Sequence, residues 1–119
     1  MLTALLVLPA LMTPAAAHHS VLAFDNGRGV TLRGVVANLH WADPHTYLAI
    51  AVRRRNGGED RWRIESESAI VLRRLGWTPE MIGAGTPVVI AGAAARDGTR
   101  VLRCDTVTPK GSAPLRCYP

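Results

Sequence analysis

Residues 30–53 read VTLRGVVANLHWADPHTYLAIAVR, two apolar, β-branched runs parted by a turn at Asp43-Pro44. The first run is long for a strand, and Gly34 interrupts it, which predicts a bulge or sharp bend at that glycine. The second run alternates: Leu48, Ile50 and Val52 share one face, and Tyr47, Ala49 and Ala51 share the other. It breaks at RRNGGED, whose Asn56-Gly57 is a strong hairpin signal. DRWRIESES then supplies a third strand, with Trp62 and Ile64 facing in and Arg61, Arg63 and Glu65 facing out. The three strands are expected to form a meander.

Beyond the meander the period changes. In SESAIVLRRLGWTPEMI, Ser66 or Ser68 can cap a helix in which Ile70, Val71, Leu75 and Trp77 recur at helical spacing, and Gly76 is a natural stop. TPVVIAGAAARDGTRVLRCDTVTP closes the chain as two strands around the hairpin signal Arg96-Asp97-Gly98, with Val88, Ile90, Leu102 and Cys104 as core candidates. Ahead of the first strand, SVLAFDNGRG carries the turn-forming Asp25-Asn26-Gly27 and reads as a lead-in. The predicted fold is therefore all-β with one helix, a small five-stranded OB-like barrel in the order β-β-β-α-β-β whose helix plugs the open end. A small open sheet with one covering helix is the competing architecture.

Residues 1–13 carry no charge and contain Leu-Leu-Val-Leu, a segment too short for a bilayer-spanning helix but long enough for a signal-peptide core. Ala15 and Ala17 follow as an A-x-A cleavage pair, although no Lys or Arg stands near the start. Residues 1–17 are accordingly read as a signal peptide, with a buried N-terminal helix of a cytosolic domain as the competing reading. Residues 18–119 then form a single OB-like domain with a C-terminal tail, placed in the periplasm or secreted. Cleavage after Ala17 puts His18 and His19 at positions one and two beside the free α-amine. Cleavage after Ala16 puts His19 third, where amine, amide nitrogens and imidazole can close a square-planar set suited to Cu(II) or Ni(II). The competing reading of the pair is a solvated terminus.

About 100 residues after cleavage make one small domain with a modest core. The net charge is +5, from 14 basic and 9 acidic residues, and Lys110 is the single lysine. The arginines are dispersed, which fits a GC-rich coding bias better than a dedicated anionic partner. Cys104 and Cys117 lie thirteen positions apart near the C-terminus; in an exported chain they are expected to pair and pin the tail to the body. Two free thiols, one buried in a strand, are the alternative, and without CxxC spacing a thiol metal site has less support.

The pieces AHHS, VTLRGVVANLHWADPH, LRRLGWTPEMIGAGTPVVIAG and RDGTRVLRCDTVT together resemble the small exported bacterial proteins grouped as domain of unknown function 6152. The most specific are the paired histidines, the Trp-x-x-Pro-His turn and Arg74-Leu75-Gly76-Trp77. The resemblance spans nearly the whole mature chain and implies an exported β-rich domain, with no activity attached. Ala42-Asp43 and His40 depart from the residues expected at those places in such proteins.

No G-x-S-x-G, Cys-His signature or carboxylate pair is present, and the glycines at 83, 85 and 92 lack a following Lys-Ser/Thr, so the chain is read as neither an enzyme nor a nucleotide binder. An OB barrel could bind nucleic acid through aromatics on strands two and three, but only Tyr47 and Trp62 are available there. Nucleic acid is therefore not an expected partner, and the discriminating observation is whether Tyr47, Arg53 and Arg61 share one exposed face. The four histidines fall in two pairs, His18 with His19 and His40 with His45. If strands one and two pair across the turn 41–44, His40 and His45 face each other with Cβ atoms about 5 Å apart, and the terminus can join them around a metal. The competing reading has His45 capping the turn through Asp43 and His40 on the rim. The leading functional expectation is an exported metal-binding protein, for copper, acting as carrier or sensor through His18, His19, His45 and His40. The alternative is a non-catalytic interaction module whose barrel face docks an envelope protein.

Overall fold

The computed structural model describes residues 21–119. A 3-10 turn (Val21–Ala23) leads into β1 (Phe24–His40), β2 (Tyr47–Arg53) and β3 (Glu59–Glu65). The helix α1 (Ala69–Arg74), a 3-10 turn (Pro79–Ile82), β4 (Pro87–Ala95), β5 (Val101–Pro109) and a two-residue β6 (Leu115–Arg116) complete the chain. β1 to β3 form the expected antiparallel meander, β4 pairs with both β1 and β5, and β3 pairs in parallel with β5 through Ile64↔Leu102 and its neighbours. The barrel thus closes in the order β1-β2-β3-β5-β4-β1, with the helix between β3 and β4, which is the OB arrangement.

Gly34 is where β1 changes neighbours: Val35 pairs with Pro87 of β4 on one side and Ala51 of β2 on the other. A Cβ built on Gly34 would stand 2.5 Å from the carbonyl oxygen of Ala51, so the strands can approach this closely only without a side chain. The register shift itself comes later, between Val36 and Asn38. A second irregularity falls between Phe24 and Gly29, where the Asp25-Asn26-Gly27 lead-in leaves the ladder.

Leu48, Ile50, Ile64, Val88, Ile90, Leu102 and Cys104 are buried in one core, as the alternation predicts, while Trp62 packs against it half-buried. Two expectations need correction. α1 has only six residues, and it turns Ala69 and Leu72 inward, leaving Ile70 half-exposed. Ser68 sets this phase, its hydroxyl accepting from the amide of Val71 at 3.3 Å; Gly76, at φ +94°, ends the turn. Glu65 points outward yet is buried, because it lines a cleft walled by Phe24 and Tyr118. The expected disulfide joins Cys104 to Cys117. It holds β6 on β5, where Thr106 pairs with Arg116 and Val107 with Leu115. Among the described residues no helix is long and apolar enough to cross a membrane.

Ile64→Ala is expected to destabilise the protein by about 2 to 4 kcal/mol through lost burial and a residual cavity. Arg54→Ala, in the exposed hairpin, should change stability by less than about 0.5 kcal/mol. Urea unfolding of the two variants checks the register; equal losses would contradict it.

Candidate functional site

His40 closes β1 and pairs with Tyr47, the first residue of β2. Their rings stack with centroids 4.3 Å apart and planes 16° from parallel. Arg63, one step diagonal on β3, places its guanidinium carbon 3.9 Å from the centroid of the same tyrosine. His40 reaches the ring from the β1 side and Arg63 from the β3 side, so both faces of Tyr47 are occupied. The expected opposition of His40 and His45 does not occur. The connection runs over residues 41–46, longer than the turn 41–44, and His45 precedes β2 rather than standing across from His40.

The loop is held by Thr46 and Asp43. Thr46 is fully buried; its hydroxyl donates to the carbonyl of Ala42 at 3.2 Å, and its amide donates to that of Glu67 at 3.1 Å. Asp43 reaches the helix, its carboxylate accepting from the amide of Ile70 at 3.2 Å. Ser66, buried beside it, donates its hydroxyl to the carbonyl of Thr46 at 3.1 Å. These bonds seat His45 against the segment between β3 and α1.

There His45 lines a cleft of about 140 Å³ together with Phe24, Tyr47, Glu65, Glu67, Arg103 and Tyr118. The cleft is assembled by register: His40, Tyr47, Glu65 and Arg103 are successive partners across β1, β2, β3 and β5. Arg63 bridges to Glu65 at 3.4 Å, and Arg103 bridges to Asp105 at 3.4 Å. The Tyr118 phenol is pushed up to about 12, chiefly by burial; Arg103 pulls it back, and Glu67, Glu65 and Asp105 push the same way as burial. Tyr118 therefore stays a neutral donor in the cleft. Since the native protein holds this proton more tightly than the unfolded chain, the contribution is intact below about pH 10 and is lost as pH rises toward 12. Ultraviolet titration of the tyrosines should show one ionising late, and Tyr118→Phe should remove that step.

His18 and His19 lie outside the described residues, as does the signal peptide expected over 1–17. Among the described residues no three His, Cys, Asp or Glu side chains gather into a set that could hold a metal ion. The residues that sequence reasoning missed are Phe24, Glu65, Glu67, Arg103 and Tyr118, which come together only on barrel closure.

Tyr47, Arg53 and Arg61 do lie on one outer face, because Arg61 pairs with Ala51 and strand alternation puts all three on the same side. Both arginines are exposed, but Tyr47 is half-buried.

The profile of a family of unknown function, DUF6152, matches residues 6–102. The chain belongs to this family. No curated protein matches it. Among solved structures, the N-terminal domain of PriB protein from Thermoanaerobacter tencongensis, described as dimeric, is similar at 20% identity with a TM-score of 0.49. That alignment covers 70% of this chain and 96% of the other. For this DUF6152 member the strand order itself establishes the barrel.

Proposed function

We propose that this DUF6152 protein is an exported, non-catalytic copper-binding protein, a carrier or sensor whose site combines the mature terminus at His18 and His19 with His45. The observation that carries the reading is that Phe24 and His45 line the same cleft. Phe24 follows His18 by six positions, and six residues reach at most about 20 Å, a span over which a terminus at His18 can reach His45. Nitrogen-rich tetragonal sets favour Cu(II), which also tops the divalent affinity order. Tyr47 lines the cleft and stacks on His40, which keeps His40 as an optional fourth ligand. The buried disulfide is compatible with an oxidising compartment, the periplasm or the exterior.

Intact mass of the protein recovered after export, without reductant, reads the cleavage site and any bound metal together. The reading expects a chain beginning at His18 or Ala17. Acetylation of that terminal amine should weaken Cu(II) binding at least tenfold, roughly 1.4 kcal/mol or more, because the resulting amide no longer offers an amine ligand. A full-length cytosolic chain, or unchanged affinity after acetylation, overturns it. Acidification should weaken binding as well, since amine and imidazole must shed protons to ligate.

A further inference from the structure

β2, β3 and the hairpin between them carry Arg53, Arg54, Arg55, Arg61 and Arg63, with Arg100 alongside, against only Glu59, Asp60 and Glu65. Each of these acids already has a guanidinium within 3.5 Å: Glu59 has Arg61, Glu65 has Arg63, and Asp60 is shared by Arg54 and Arg100. Positive charge is left over, with Arg53 and Arg55 both exposed. The Arg61–Glu59 pair is exposed, at 65% and 53%, so it is worth little and can be exchanged for an incoming carboxylate.

Alternation along β2 gives this face a floor of two small residues, Ala49 and Ala51, with Asn38 of β1 on one flank and Arg63 and Arg61 of β3 on the other. A polypeptide backbone can lie close to such a floor. A nucleic acid would need an aromatic face for base stacking. Tyr47, the aromatic side chain on this face, is covered by His40 on one side and Arg63 on the other. The face offers charge without stacking.

We propose that the outer face of β1, β2 and β3 docks an acidic polypeptide segment of a partner, whose carboxylates pair with Arg53, Arg61 and Arg63 across the Ala49–Ala51 floor. The proposal does not rest on the copper reading. The test is fluorescence anisotropy of labelled poly-L-glutamate with the metal-free, processed protein at low salt, beside arms with oligothymidylate and with phosphatidylglycerol vesicles. Poly-L-glutamate is expected to bind more tightly than either. R53E/R61E should weaken it about tenfold or more, while R28E, at the lead-in outside this face, should leave it within about twofold. Thermal melts establish that the variants fold. Absence of poly-L-glutamate binding, equal binding by R53E/R61E, or tighter binding of the oligonucleotide or the vesicles would each overturn the proposal.

Discussion

Trp77→Ala is expected to lower the free energy of unfolding by about 3 to 5 kcal/mol, the range for truncating a fully buried aromatic. Trp77 is 1% exposed at the end of the α1 turn and belongs to the barrel core. Its indole nitrogen donates to the carbonyl of Arg116 at 2.8 Å, tying the helix to β6 on the far side of the disulfide. The alanine variant loses both the packed ring and this bond. Trp77→Phe keeps most of the volume and gives up the donor, so it should cost less, about 1 to 3 kcal/mol. Urea unfolding of the three proteins measures both. A loss below about 1 kcal/mol for the alanine variant would mean that the helix does not plug the barrel as described.

Removal of the Cys104–Cys117 bond is expected to cost about 3 kcal/mol, from the loop-closure entropy of a crosslink of this span in the chain-entropy model. Its consequence at the cleft is local. The amide of Cys117 donates to the carbonyl of Asp105 at 3.0 Å, the carbonyl of Cys117 accepts from the amide of Glu67, and Tyr118 follows directly as a cleft wall. A double Cys104→Ala/Cys117→Ala variant should thus unfold at lower urea, and its Tyr118 phenol should move from about 12 toward the ordinary 10.0 as burial is lost. Unchanged stability with an unchanged phenol would show that the strap is held by β6 pairing alone.

The barrel was readable because its signals are local. Alternation at Leu48, Ile50 and Ile64 fixes which faces are buried, Asn56-Gly57 and Asp97-Gly98 place the hairpins, and Gly34 marks the strand that serves two neighbours. The helix was harder. Over six residues the apolar positions Ile70, Val71 and Leu72 allow several phases, and the one adopted follows from the Ser68 cap and the Asp43 carboxylate on Ile70. The turn between β1 and β2 was misjudged because Thr46 is fully buried by bonds to Ala42 and Glu67, which no local pattern announces. The cleft was not readable at all. Phe24, Glu65, Arg103 and Tyr118 are far apart in sequence, and it takes the parallel β3–β5 pairing and the disulfide to put them around His45.

The copper reading is tested most directly by a Cu(II) titration of the correctly processed protein, followed by electron paramagnetic resonance. The prediction is a tetragonal Cu(II) signal with nitrogen hyperfine structure that His18→Ala abolishes or changes and His45→Ala weakens, each with a matching fall in affinity. An affinity and spectrum unchanged by both His18→Ala and His45→Ala would contradict the copper site.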